Sequence, residues 1–184
     1  MTDSIGVAHS DFAAMGKLTT DYFCKLFSAN TSLDAAPVID LVQPLVAEED
    51  NMKLCAPFTD KEISDAMFQI GPLKAPGPNG FPARFFQRNW STVKDSVITA
   101  VKDFFCTGIM PEGVNSTSIV LIPKISNPTN LSEYRPISLC NMIYKVISKY
   151  LVNKLRPLLD DLISGEQSVF IPGRLITANA LVAF

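Results

Sequence analysis

Histidine is almost missing from this chain. His9 is the only one in 184 residues, and it precedes the first periodic segment. A Ser-His or Cys-His mechanism needs a base beside its nucleophile, so nucleophilic hydrolysis has no suitable base here. Cysteine is sparse and scattered: Cys24, Cys55, Cys106 and Cys140 lie more than thirty residues apart. That spacing excludes the close pairs of zinc sites and predicts reduced, mostly buried thiols. No run of about eighteen apolar residues occurs, and Met1 to Ser10 has neither a basic start nor an apolar stretch. No membrane span or secretion signal is therefore indicated, and an intracellular chain, nuclear or cytoplasmic, is expected. Internal repeats, low-complexity tracts and heptads are absent as well.

What is present is a globular balance, 47% hydrophobic and 18% charged residues, broken by 13 prolines. Short helices joined by stiff loops follow from it. Charge is unevenly placed. Residues 1–70 hold 4 Lys/Arg against 11 Asp/Glu, a net −7, and residues 71–184 hold 12 against 7, a net +5. A basic second part suits a polyanion such as nucleic acid, although ordinary surface charge gives the same count.

Along the chain, Phe12, Met15, Leu18, Tyr22, Phe23, Leu26 and Phe27 recur at helical spacing over residues 10–27. Residues 28–57 lose periodicity and read as a linker with little fixed structure beyond a short turn at 38–42, which sets a boundary near Pro57. Thr59 and Glu62 form a capping box ahead of Ile63, Met67 and Ile70. The loop Gly71-Pro72-Leu73-Lys74-Ala75-Pro76-Gly77-Pro78-Asn79-Gly80 is rigid, because its prolines fix φ. It is no phosphate-binding Walker loop, since no Gly-Lys-Ser/Thr follows. Pro82 opens a helix through Phe85 and Phe86. Ser91 caps another, whose Val93, Val97, Val101 and Phe104 face a core and which Gly108 ends. Trp90, Phe81, Phe85 and Phe86 allow base stacking, but aromatic residues at this spacing are more often core.

Residues 118–122 read as a β-strand, residues 126–130 as a turn and residues 134–139 as a returning strand confined to an edge by Pro136. A helix over 141–155 carries Ile143, Ile147, Leu151 and Leu155 on one face. Its Lys145, Lys149 and Lys154, with Arg156, either touch a backbone phosphate or form a solvated face. Asp160-Asp161, flanked by leucines, reads as a helix end rather than a metal site. The fold class is α+β and mostly helical, with a short β-hairpin.

Three motifs in fixed order carry a resemblance. Lys74-Ala75-Pro76-Gly77-Pro78-Asn79-Gly80-Phe81-Pro82, Leu121-Ile122-Pro123-Lys124 and Tyr134-Arg135-Pro136-Ile137-Ser138-Leu139-Cys140-Asn141 closely resemble the reverse transcriptases of plant LINE-type, non-LTR retrotransposons. The likeness continues through Tyr144-Lys145-Val146-Ile147-Ser148-Lys149 and Gln167-Ser168-Val169-Phe170-Ile171-Pro172-Gly173-Arg174. It covers about residues 58–184, so residues 1–57 stand as a helical and linker region upstream of a polymerase domain.

The resemblance implies an incomplete right-hand polymerase, comprising fingers and the first palm elements, with an RNA/DNA template-primer and dNTP as partners. Lys124 and Arg135 stand where the family places cations on the nucleotide triphosphate, the one a mobile point charge and the other a bidentate fork. Gln167, Phe170, Gly173 and Arg174 match the segment that lies against the template and the nucleotide pocket. Read from the residues alone, Lys124 is equally a strand-end lysine, Arg135 a salt-bridged arginine, and Gly173-Arg174 a turn with a solvent-facing side chain. Three positions depart from the pattern: Val169 where Gly or Ala is usual, Ala178 where Asp is usual, and Asn79 in place of Asp.

The family holds Mg2+ with palm carboxylates, one shortly after the Pro-Gly-Arg segment and two in a Tyr-x-Asp-Asp hairpin. Neither occurs in these 184 residues, so no catalytic residue, metal ligand or cofactor is assigned and catalytic incompetence of the chain alone is expected. Two alternatives stand beside this reading, a non-enzymatic nucleic-acid-binding module and a helical protein-interaction fragment using residues 10–27. The sequence does not fix an oligomeric state.

Overall fold

The structure, a computed structural model, describes residues 7, 9–28, 45–164 and 167. The chain divides into two compact units, residues 1–41 with 117–139 and residues 42–116 with 140–184. In the first, Asp11 accepts from the Ala14 N–H at 2.9 Å and starts helix α1, Phe12–Phe27, where the apolar periodicity places it. Phe23 is buried, while Phe12, Leu26 and Phe27 remain exposed.

The same unit holds the hairpin, strands β1 (Thr117–Pro123) and β2 (Tyr134–Cys140), paired antiparallel in a two-stranded sheet. Both expected strands form. The Lys124 N–H donates to the Glu133 carbonyl at 2.8 Å, which fixes the register. Ile122 then faces Arg135, and Pro136 faces Leu121 in a pair that exchanges no hydrogen bonds. The Pro136 nitrogen therefore points away from the partner strand, where a missing N–H costs no ladder bond. Glu133 orders the hairpin tip by accepting from the Thr129 and Asn130 N–H groups at 2.6 and 3.0 Å. The Asn130 and Thr129 backbone bonds hold its carboxyl below the usual range.

The second unit is helical: α2 (Glu48–Cys55), α3 (Asp60–Gln69), α4 (Ala83–Arg88), α5 (Trp90–Thr107), α6 (Met142–Leu155), a 3-10 turn (Arg156–Leu158) and α7 (Leu159–Leu162). Helix α2 corrects the expectation of little fixed structure across residues 28–57. Glu48, Glu49 and Asp50 all fall in its first turn, where carboxylates meet the positive helix end, and Lys53 pairs with Glu49 and Asp50. The short turn expected at 38–42 lies outside the described residues.

Helix α3 starts with the capping box the sequence encodes, Thr59 and Glu62 bonding each other's backbone N–H. Its far end is closed by a distant side chain. Gln87 on α4 donates through Nε2 to the Met67 and Ile70 carbonyls, at 3.1 and 2.9 Å, which satisfies carbonyls a helix terminus leaves unpaired. Ser91 does not cap α5. The helix begins at Trp90 after Asn89, whose side chain instead donates back to the Phe85 carbonyl and closes α4.

The core joins Ile63, Ala66 and Met67 of α3, Ala83 of α4, Val97, Ile98 and Val101 of α5, and Met142, Val146, Ile147 and Tyr150 of α6. Phe58, Phe105 and Tyr150 close it with ring centroids 4.1 to 5.3 Å apart. The α6 face differs from the expected Ile143, Ile147, Leu151 and Leu155. Met142, Val146 and Tyr150 point inward with Ile147, whereas Leu151 and Leu155 are 44% and 45% exposed. Two neighbouring apolar rows run along this helix, each spaced by four residues, and periodicity does not choose between them. The thiols correct another expectation: Cys24, Cys55 and Cys106 are exposed and only Cys140 is half-buried. Among the described residues, no helix is long and apolar enough to cross a membrane.

Lys154 pins three elements together. Its ammonium lies 3.3 Å from Glu62 on α3, 3.4 Å from the Lys53 carbonyl on α2, and 5.7 Å from the Tyr150 ring centroid on its own helix. Burial works against both charges. For Glu62 it is outweighed by bonds from Thr59 and Lys154, and the carboxyl is held below its ordinary value. For Lys154 it is outweighed by Tyr150 and Glu62, and the ammonium is held above its ordinary value.

A group depressed in the fold stabilises above its unfolded pKa and loses that contribution as pH falls through the folded one. A raised group stabilises below its unfolded pKa and loses the contribution as pH rises through the folded one. Stability from this pair is therefore flat from above 4.5 to below 10.5 and falls at both ends. Lys154→Met should lower stability at neutral pH by on the order of 1 kcal/mol and flatten both limbs, read as melting temperature against pH. Limbs of unchanged steepness in the variant would show that other groups cause them.

Candidate nucleic-acid interface

Asn141, at the start of α6, is 6% exposed and bonds two other segments of the helical unit. Its Nδ2 donates to the Gly113 carbonyl at 2.9 Å and to those of Val114 and Ser116 at 3.4 Å each. Its Oδ1 accepts from the Asn79 N–H at 3.2 Å. A helix-starting Asn ordinarily caps its own helix, but this side chain makes no such bond. All of it goes to tertiary contacts.

The proline-glycine loop sits directly against this residue. A Cβ on Gly77 would lie 2.4 Å from the Asn141 nitrogen and 2.5 Å from the Cys140 carbonyl carbon, so only glycine fits. The Lys145 ammonium donates to the Ala75 carbonyl at 2.6 Å. Further bonds from Lys74 N–H to the Gly71 carbonyl, Gly80 N–H to the Gly77 carbonyl and Arg84 N–H to the Pro72 carbonyl complete the loop.

What the loop and α4 present outward is basic and aromatic. Phe81 and Phe85, centroids 4.6 Å apart, are 46% and 39% exposed, so the expectation of core aromatics holds for Phe86 and Trp90, which pack against the core, and not for these two. Lys74 in the loop and Arg84 and Arg88 on α4 are exposed as well. Cations interleaved with open aromatic faces are the composition of single-stranded nucleic-acid platforms, where bases stack and phosphates pair. The sequence carried the signal in two rows of four-residue spacing, Phe81 with Phe85 and Arg84 with Arg88.

In the hairpin unit, Lys124 and Arg135 fall on the same face, because Lys124 pairs with Glu133 and side chains two residues apart point the same way. Arg135 is exposed. Lys124 donates through Nζ to the Ser132 carbonyl at 2.7 Å, which fixes its position at the hairpin tip. Val120, Ile122 and Ile137 share this face and are 41% to 45% exposed.

Gln167 belongs to the helical unit, with its N–H on the Ser164 carbonyl at 3.1 Å. Phe170, Gly173 and Arg174 lie outside the described residues, as do Val169 and Ala178. Lys145 and Lys154 correct the reading of the α6 cations as either phosphate contacts or a solvated row: the one holds the loop and the other holds α2 and α3. Asp160 and Asp161 lie in the first turn of α7. Among the described residues, no three His, Cys, Asp or Glu side chains group as metal ligands.

The loop predicts its own test. Asn141→Ala strands several buried groups and should cost about 1–3 kcal/mol. Asn141→Asp should cost more at neutral pH, since a carboxylate then faces three carbonyls. Gly77→Ala should cost about 3 kcal/mol, the upper end for overpacking. Urea midpoints measure all three, and an Asp variant as stable as the Ala variant would disprove the donor role of Nδ2.

No family model matches the chain. Two curated proteins do show similarity. The Transposon TX1 uncharacterized 149 kDa protein of Xenopus laevis is 28% identical over 178 residues, 96% of this chain and 14% of that protein. The Retrovirus-related Pol polyprotein from type-1 retrotransposable element R1 of Bradysia coprophila is 25% identical over 116 residues, 61% of this chain and 12% of that protein. The chain thus spans a small part of each relative, and both relatives are products of transposable elements.

Proposed function

We propose that the chain is the fingers and first palm elements of a reverse transcriptase domain from a LINE-type, non-LTR retrotransposon of the plant kind, and that its role is to hold RNA template and incoming dNTP. One observation carries the reading. Ala75, Gly77 and Asn79 of the first motif are bonded to or packed on Asn141, which closes the third, and Lys145 of the run that follows it. Similarity to two transposable-element proteins supports the same origin.

In this reading Lys124 and Arg135 meet the triphosphate, Lys74, Arg84 and Arg88 meet backbone phosphate, and Phe81 and Phe85 stack bases. Gln167, Phe170, Gly173 and Arg174 take the template side by resemblance. Mg2+ belongs to palm carboxylates of the whole polymerase, and none of the residues in this stretch is assigned to it. Binding without catalysis, as a nucleic-acid-binding module, is favoured over a protein-interaction fragment by the exposed Phe81 and Phe85 and the three exposed cations of the same loop and helix.

Single-stranded RNA should bind the 184-residue chain without strong sequence preference, with affinity falling steeply in salt. Phe81→Ala and Phe85→Ala should each cost about 1–3 kcal/mol of binding with little change of salt slope. Arg84→Ala, Arg135→Ala or Arg174→Ala should each reduce that slope by roughly one. Fluorescence anisotropy over a salt series reads both effects, and salt-independent binding would refute phosphate contact. The same preparation should not extend a primer on an RNA template with Mg2+. Extension that copurifies with the chain and follows its mutations would refute the absence of catalytic carboxylates.

A further inference from the structure

The register that sets Lys124 against Glu133 decides which backbone groups of the hairpin point outward. Residues 118, 120 and 122 of β1 exchange hydrogen bonds with residues 139, 137 and 135 of β2, so the N–H and carbonyl groups of Ile119 and Leu121 face away from β2. Among the described residues the sheet has two strands, and no hydrogen bond occupies those outward groups.

The two edges differ. On β2 the outward donors are nearly used up, since the Tyr134 N–H bonds the Leu131 carbonyl and Pro136 has no N–H. Sheet edges are commonly blunted in this way, by proline or by charge. The β1 edge has neither protection over Ser118-Ile119-Val120-Leu121-Ile122, and Ile119, Val120 and Ile122 are 41% to 45% exposed. A two-stranded sheet is marginal by itself and gains from further strands.

We propose that this edge pairs with the same edge of a second copy of the chain, β1 antiparallel to β1, giving a four-stranded sheet across a two-fold axis. The strand is complementary to itself, as an isologous contact requires. With Val120 opposite its own counterpart, Ile119 stands opposite Leu121 and Leu121 opposite Ile119, so every outward N–H of these residues meets an outward carbonyl. On one face Val120 and Ile137 of both copies form a row of β-branched cross-strand neighbours. No like charges are opposed, because Lys124 falls opposite Ser116 of the second copy. Growth stops at two copies, since the edges left outside are those that Pro136 blunts. The inference concerns the hairpin unit alone and does not rest on the polymerase reading.

Sedimentation velocity of the full chain over a concentration series tests it. A monomer–dimer equilibrium without larger species is expected. Ile119→Pro removes an outward N–H and leaves the hairpin's own ladder intact, as Pro136 does, so it should abolish the dimer. Val120→Lys leaves the backbone untouched but sets two ammonium groups against each other at the axis, and it should abolish the dimer too. Val120→Thr should retain it. With Cys24, Cys55 and Cys106 replaced by serine, Val120→Cys should oxidise to a covalent dimer, because a pair that exchanges no hydrogen bonds holds its Cα atoms about 4.5 Å apart, within disulfide reach. Ile122→Cys should not.

A chain that stays monomeric throughout overturns the proposal. So does a dimer indifferent to both Ile119→Pro and Val120→Lys, or a cross-link stronger through Ile122→Cys than through Val120→Cys. Amide exchange at Ile119 and Leu121 should slow as concentration rises. Exchange equally slow in dilute solution would assign the edge to another segment of the same chain and refute the pairing.

Discussion

The helical unit depends on one buried amide. Asn141 joins the proline-glycine loop, the turn at residues 113–116 and the start of α6 through a single side chain. Neither loop has regular structure to satisfy its backbone groups, and a buried loop carrying unpaired carbonyls would be costly. An amide answers both needs, since one end donates and the other accepts. Gly77 is the steric counterpart: it lets the loop backbone approach the α6 entrance closely enough for the bonds to form. Loop, turn and helix therefore stand or fall together, and the outward display of Phe81, Phe85 and Arg84 depends on them.

Much of this architecture was legible in the sequence, for local reasons. The Thr59–Glu62 capping box, the Gly108 stop and the β-branched strand at 118–122 are decided within a few residues, and the structure bears each of them out. Periodicity failed where two answers share one spacing. On α6 the row of Ile143, Ile147, Leu151 and Leu155 and the row of Met142, Val146 and Tyr150 both repeat every four residues, and packing against α3 and α5 buries the second row with Ile147 and part of Ile143, leaving Leu151 and Leu155 exposed. Helix α2 was missed because its support is electrostatic and short-range, with almost no apolar stripe.

The candidate site was legible to a different degree. Ordered motifs drew attention to the loop at 74–82 and to Asn141, yet nothing in their spacing says that a side chain sixty residues away receives the Asn79 N–H. That bond is a long-range fact with no local trace. Lys124 and Arg135 could be placed on one hairpin face from strand alternation alone, and the register agrees. The exposure of Phe81 and Phe85 ran against the ordinary preference of aromatic residues for cores. Helix α4 has only six residues and buries Ala83 and part of Phe86, so it lacks a second apolar face to hide them.

Net charge was a coarse guide to the same question. The excess of Lys and Arg after residue 70 suggested a polyanion partner, but several of those cations are spent inside the fold. Lys102 pairs with Asp60, Lys145 holds the Ala75 carbonyl, and Lys154 ties α2 and α3 to α6. A cation with a structural partner contributes less to an external anion, since moving it first breaks the internal bond. What remains for ligands is set by position rather than by count. In the proposed reading an anion would meet the exposed Lys74, Arg84 and Arg88 of the loop and α4 and Arg135 on a hairpin face, rather than the cations already held inside the fold. The proposed footprint is therefore local and combined with exposed aromatic surface, a combination that would favour single-stranded over double-stranded nucleic acid, because only unpaired bases can leave their own stack for a protein ring.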